Sequence, residues 1–253
     1  MWTCWADRVY ASKFAKVKTF LQALGSAKVD ADLKRIGLVT ISQSPRVDVV
    51  PWLRKIISKD VEFLEAGALD DLTKKEIVEL KPTDNHDVLV SRIRDGSEVM
   101  FGKARIIPRL QRCINQLNEK KVGAIALLCA GTFPQFNSKA PILRTDLLTY
   151  GFLRSIPNLN KVGLLLPNEK QMEPIGREFA DEGFKVVTSW LSPYSQGSVE
   201  EAVKPFMRKD VTLISLLCMG YNPDLKEKVV NLTFKPAALS QSLLAKAIEE
   251  LLI

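Results

Sequence analysis

The sequence predicts an α/β fold made of two pseudo-symmetric parallel-sheet halves with a cleft between them. Three observations predict it. Apolar runs of strand length alternate with helically spaced segments, the pattern of parallel sheets joined by right-handed crossovers. Two of these runs, Ile36-Gly37-Leu38-Val39 and Val162-Gly163-Leu164-Leu165, match each other. Two later runs match as well: Ala126-Leu127-Leu128-Cys129-Ala130-Gly131 and Ser215-Leu216-Leu217-Cys218-Met219-Gly220. Each of the later pair stops at a cysteine and then meets a glycine. Each half therefore sets one thiol where a strand gives way to a loop, the edge at which open α/β sheets bind ligands.

The elements follow in order. Ile36 to Ile41 reads as a buried strand. In Ser42-Gln43-Ser44-Pro45, Ser44 is an expected helix N-cap with Pro45 at the first helical position. The helix is expected from about Arg46 to Ile57, with Val49, Val50, Leu53, Ile56 and Ile57 on one face. Val61 to Leu64 is a second strand. The Asp70-Asp71 pair reads as a turn before Thr73-Lys74-Lys75-Glu76, a capping box. Asp87 to Ile93 and Ser97 to Phe101 flank Asp95-Gly96, a hairpin signal. Ile106, Leu110, Ile114 and Leu117 give one stripe of a long helix before the strand Val122 to Cys129.

The second half repeats this order. Val162 to Leu166 is a strand, followed by a helix to about Asp181 that Gly183 stops. Phe184 to Trp190 is the next strand. Ser192-Pro193-Tyr194 is a loop, and Ser198 caps the helix before the strand Val211 to Cys218. Leu232 to Phe234 reads as a short last strand, and Leu239 to Leu252 as an amphipathic helix. The halves are expected at 35–140 and 141–235, with the C-terminal helix of 237–253 packing back on the first. Residues 1–34 carry roughly helical apolar spacing between lysines. They read as a dispensable extension; a transit peptide, a docking helix or sequence upstream of the true start are the alternatives.

Composition narrows the function. Of the net charge of +7, +4 falls in residues 1–35, which leaves an ordinary +3 on the rest. Nucleic-acid binding would call for a clustered patch on the folded body and is not expected. No apolar run approaches a membrane span. Four cysteines without paired spacing read as reduced thiols in a cytoplasmic setting rather than a disulfide framework. The lone histidine, His86, lies in a polar stretch and no CxxC occurs, so zinc is not expected. No P-loop or GxGxxG follows a strand. The expected cofactor is therefore none.

Four separated motifs resemble one family. Thr40-Ile41-Ser42-Gln43-Ser44-Pro45-Arg46-Val47-Asp48-Val49-Val50-Pro51, Leu127-Leu128-Cys129-Ala130-Gly131-Thr132-Phe133, Ser192-Pro193-Tyr194 and Cys218-Met219-Gly220-Tyr221 look like the signatures of the AroM family. That family resembles the aspartate/glutamate racemase superfamily as a distant member. The likeness covers about Arg35 to Ile253 and not residues 1–34. It implies two pseudo-symmetric α/β domains with a site between them, and it brings no substrate. Two positions depart from the pattern: Ser42 stands where Gly is expected, and Leu217 where an acidic residue usually precedes the second cysteine.

On this reading the ligand is a small carboxylic acid held between Cys129 and Cys218, with racemase- or isomerase-like chemistry. A cofactor-free racemase needs a base on each face of the carbon, and cysteine serves where backbone N–H groups favour its thiolate. Gly131 and Gly220 would expose such groups. The alternative is that both thiols are small buried residues closing apolar strands. Ser42, Gln43 and Ser44, at a strand-to-helix turn, offer donors for an anion, and Arg46 offers a bidentate fork for a carboxylate. A capped helix with an exposed arginine is the equal alternative. Thr132, Tyr194 and Tyr221 are candidates to hydrogen-bond the ligand, or else loop packing. Cys4 and Cys113 are set aside. Two other functions stay open: a binding or regulatory protein without turnover, and a one-thiol lyase or decarboxylase. A homodimer is compatible with all three.

Overall fold

The computed structural model describes residues 32–84 and 87–252; His86 and nearly all of the 1–34 extension lie outside them. The first sheet contains β1 (Asp32–Thr40), β2 (Glu62–Gly67), β5 (Val122–Leu128) and β6 (Ile142–Arg144), in the order β2-β1-β5-β6. The second contains β7 (Lys161–Leu166), β8 (Val186–Trp190), β9 (Val211–Leu216) and β10 (Ala237–Leu239), in the order β8-β7-β9-β10. All pairs within both sheets are parallel. The two sheets therefore correspond strand for strand in order and direction, and the fold is the predicted one. An antiparallel hairpin, β3 (Val88–Arg92) and β4 (Glu98–Gly102), stands apart from both.

The central strands are apolar because helices cover both faces. In β5, Ala124, Ala126 and Leu128 pack on one side, against α1 (Val50–Ile56) and α8 (Ser240–Leu251). Ile125, Leu127 and Cys129 pack on the other, against α3 (Lys103–Glu119). The helices after the two edge strands cross over. α4 (Thr145–Arg154) follows β6 of the first sheet, yet Tyr150 and Leu153 pack into the second sheet's core. α8 follows β10 of the second sheet, yet Leu244, Ala245 and Ile248 pack with Val49, Val50 and Leu53 of the first half. The exchange is held by a repeated bond. Thr145 Oγ1 donates to Leu127 O at 2.9 Å, and Ser240 Oγ donates to Leu216 O at 3.0 Å. Each acceptor lies two residues before a cysteine.

Three expectations give way. The helix expected from Arg46 begins only at Val50, because Ser44 is held elsewhere, as described below. Leu232–Phe234 is not a strand. It ends α7 (Pro223–Thr233), which Asn222 caps by accepting Leu225 N–H at 2.9 Å and which puts Val229 in the second core. The last strand is Ala237–Leu239. The chain also leaves the first sheet after Arg144, beyond the 140/141 boundary, because Ile142–Arg144 pairs with β5.

Candidate active site

The loop after β1 is organised by one carboxylate. Asp70 accepts the Ser44 N–H at 2.6 Å, the Ser44 hydroxyl at 2.7 Å and the Gly67 N–H at 2.7 Å. Arg94 adds a bond to Asp70 at 3.0 Å. Ser44 is thus no helix cap, and its peptide bond to Pro45 is cis. Gln43 is spent on the backbone, donating to Leu72 O at 3.0 Å and accepting from Arg94 N–H at 3.0 Å. The Ser42 hydroxyl donates to Arg92 O at 2.7 Å. Ser42, Gln43 and Ser44 therefore tie the loop to the hairpin, and none lines the cleft between the cysteines.

Arg46 does line that cleft, but its fork is already filled. Nε and Nη2 each donate to Asp48 at 2.8 Å, Nη1 to Thr40 Oγ1 at 2.9 Å and Nη2 to the Tyr194 hydroxyl at 3.3 Å. The side chain is 3% exposed. Burial works against both charges of the pair. The bidentate contact outweighs it, holding Asp48 below the usual carboxylate range and Arg46 more firmly protonated than usual. The sequence reading missed Asp48. An opposite charge two residues away in an irregular loop carries no periodic signal.

The two thiols lie at the ends of equivalent strands and line the same small cleft, of about 40 Å³. The Gly131 N–H donates to Cys129 Sγ and the Gly220 N–H to Cys218 Sγ, both at 3.4 Å. Burial outweighs these donors, pushing Cys129 up to about 12 and Cys218 up to about 11. Arg46's charge favours both thiolates; Cys218 alone has a Tyr194 hydrogen bond, and Asp48's charge opposes its ionisation. Charge on Cys218 raises Cys129, so the pair titrates in sequence rather than together.

The other expected residues separate. Tyr194 lines the cleft, its hydroxyl against Gly220, where an added Cβ would sit 2.5 Å from that oxygen. Gly131 lines the cleft through its backbone; Gly220 does not. Thr132 turns away to donate to Glu178 at 2.7 Å. Tyr221 is in the core, donating to Leu191 O at 2.7 Å. Gln171 and Ser91 line the cleft without any sequence signal having marked them. Among the described residues no three His, Cys, Asp or Glu side chains gather as a metal site.

These thiols should resist alkylation. At pH 7.5, iodoacetamide is expected to spare Cys129 and Cys218 while an exposed thiol, with a pKa of ~8.5, is consumed. As pH rises, Cys218 should label before Cys129. Peptide mapping by mass spectrometry reads both; rapid neutral labelling of either contradicts the burial. The linkage has a sign. Both values lie above the unfolded one, so the stabilisation is complete below about pH 8.5. It is lost as pH climbs through about 11 and about 12.

A family model described as AroM protein matches residues 36–252. Solved structures share the fold. A Gly74Cys mutant of arylmalonate decarboxylase is 15% identical at a TM-score of 0.57, covering 86% of this chain and 92% of that one. Glutamate racemase isoform RacE1 from Bacillus anthracis is 13% identical at 0.58, covering 86% and 80%. The maleate isomerase Iso from Pseudomonas putida S16 is 13% identical at 0.58, covering 85% and 90%. No curated protein matches the chain. Among the described residues, no helix is long and apolar enough to cross a membrane.

Proposed function

This chain belongs to the AroM family, and we propose that its cleft binds a small carboxylic acid between Cys129 and Cys218 for cofactor-independent proton transfer at carbon. One observation carries the reading: two thiols from equivalent strand ends line a single cleft. The structural neighbours are named for arylmalonate, glutamate and maleate, all carboxylic acids, which agrees with a carboxylate as ligand. Cys218 is the more readily ionised thiol, since Gly220 N–H, Arg46 and Tyr194 favour its thiolate against burial and the charge of Asp48. It would take the proton while the electron pair stays on the substrate carbon, delocalised into the carboxylate. The Cys129 S–H would then break to return a proton. Because charge on Cys218 disfavours charge on Cys129, ionising Cys218 leaves Cys129 protonated, which gives one base and one acid.

A second reading is a metabolite-binding protein without turnover. It is favoured by the burial that keeps both thiols protonated. Deuterium wash-in separates the two. The protein is incubated in heavy water with amino, hydroxy and aromatic carboxylic acids, beside Cys129→Ser and Cys218→Ser. Two-base transfer predicts exchange at the α-carbon that falls by about 10²-fold or more in each variant. Exchange needing only one cysteine indicates one-thiol chemistry of lyase or decarboxylase type. Thermal stabilisation by an acid with no exchange favours the binding protein.

A further inference from the structure

Gln171 sits on the helical turn Glu169–Gln171 after β7, the place in the second half that the Arg46 loop takes in the first. Its residue exposure is 8%. Nε2 donates to Val88 O on the hairpin at 3.0 Å. That bond fixes the amide's orientation, because only the NH₂ end can serve a carbonyl. Oε1 is then left buried with no protein donor, and Gln171 is one of the residues lining the cysteine cleft. Buried acceptors are normally satisfied, and one left over calls for an explanation. Among the described residues two other buried oxygens lack donors, Gln241 Oε1 and Ser215 Oγ, but neither residue lines this cleft.

We infer that Gln171 Oε1 receives a hydroxyl of the ligand, which makes the cleft selective for hydroxy-carboxylic acids. The inference rests on the carboxylate reading above and sharpens it. An oxygen acceptor takes a hydroxyl, a water or an N–H, and of the α-substituents of a carboxylic acid the hydroxyl and the ammonium group qualify. Among the described residues, no Asp or Glu lines the cleft. The one formally charged residue among the described lining is Arg46, whose Nε and Nη2 are both engaged by its partner Asp48. A buried ammonium would find no counter-charge there, whereas a hydroxyl needs none. Leu217, the residue before Cys218, lines the cleft and offers no carboxylate to an amine.

The test uses matched acids differing only at one substituent: lactate, alanine and propionate, then malate, aspartate and succinate. Binding to the full chain is measured by calorimetry and thermal shift. The hydroxy acid of one set is expected to bind about tenfold or more tightly than its deoxy and amino counterparts. In Gln171→Met that advantage should shrink to about threefold or less, with deoxy-acid binding kept. Equal binding of hydroxy and deoxy acids by the wild type overturns the inference while leaving the carboxylate cleft standing. So does tighter binding of the amino acid. Binding by none of the six overturns the carboxylate reading and this inference with it. Should Gln171→Met not fold, the wild-type comparison decides alone.

Discussion

Replacing Asp48 with alanine is expected to destabilise the fold by about 3–5 kcal/mol, because it leaves a buried guanidinium without its counter-charge. Arg46 is 3% exposed, and both of its bonds to Asp48 are 2.8 Å long. Thr40 and Tyr194 would remain as partners, and both are neutral. Urea denaturation should show the loss as a lower midpoint at similar slope. The double variant Arg46→Met/Asp48→Leu removes both charges and should recover most of it, since an apolar pair of similar volume often matches a buried ion pair. A loss under about 1 kcal/mol in Asp48→Ala would show that the guanidinium relaxes to water. The difference from wild type should also narrow in acid. Asp48's folded value is depressed, so its contribution is complete above about pH 4 and is lost as pH falls through the folded value. The same variant frees the guanidinium that holds Tyr194, and so loosens the contacts that favour the Cys218 thiolate.

What the sequence made legible is what neighbouring residues decide. The central strands β1, β5, β7 and β9 announce themselves as short apolar runs, since helices bury both their faces; the three-residue edge strands β6 and β10 did not. The repeat of β1 in β7 and of β5 in β9 exposes the pseudo-symmetry, and with it the two strand-end cysteines. Thr73 and Glu76 form the capping box their spacing predicts, and the Asp95-Gly96 turn joins β3 to β4. The loop at 41–49 was misread because its decisive partner is distant. Ser44-Pro45 carries a helix-start signature, but Asp70, 26 residues on, takes both the N–H and the hydroxyl of Ser44. Arg46 reads as an open fork until the fold shows Asp48 filling it. Leu232–Phe234 reads as a strand because a short apolar run has no period of its own; the helix begun at Asn222 runs through it. Gln171 was invisible because its meaning lies in an oxygen left without a donor, which only packing creates.

Gly67→Ala tests whether that distant carboxylate builds the site, and it should destabilise the fold by about 3 kcal/mol, the upper range for forcing an atom into a packed interior. A Cβ at Gly67 would sit 2.5 Å from Ser42 O, 2.6 Å from Ser44 N and 2.6 Å from Asp70 Oδ1. Two of the three are backbone atoms, so no side-chain rotation relieves the clash. The loop must move outward, and the Ser44–Asp70 bonds must lengthen with it. Arg46 lies two residues after Ser44, and its N–H is held by Glu65 at 2.7 Å. Moving the loop therefore draws Arg46 from Tyr194, whose hydroxyl is packed against Gly220 beside Cys218. The expected functional sign is lost protection of Cys218 from alkylation at pH 8–9, with Cys129 less affected because the clash lies in the loop that bears Arg46. Asp70→Asn is the control. It keeps the shape and one acceptor oxygen but removes the charge, so it should soften the loop without the steric displacement. If Gly67→Ala matched wild type in denaturation midpoint and in Cys218 labelling, the loop would be compliant and Asp70 incidental. If it lost stability but left Cys218 protected, the Arg46–Tyr194 contact would hold the cleft independently of the loop beneath it.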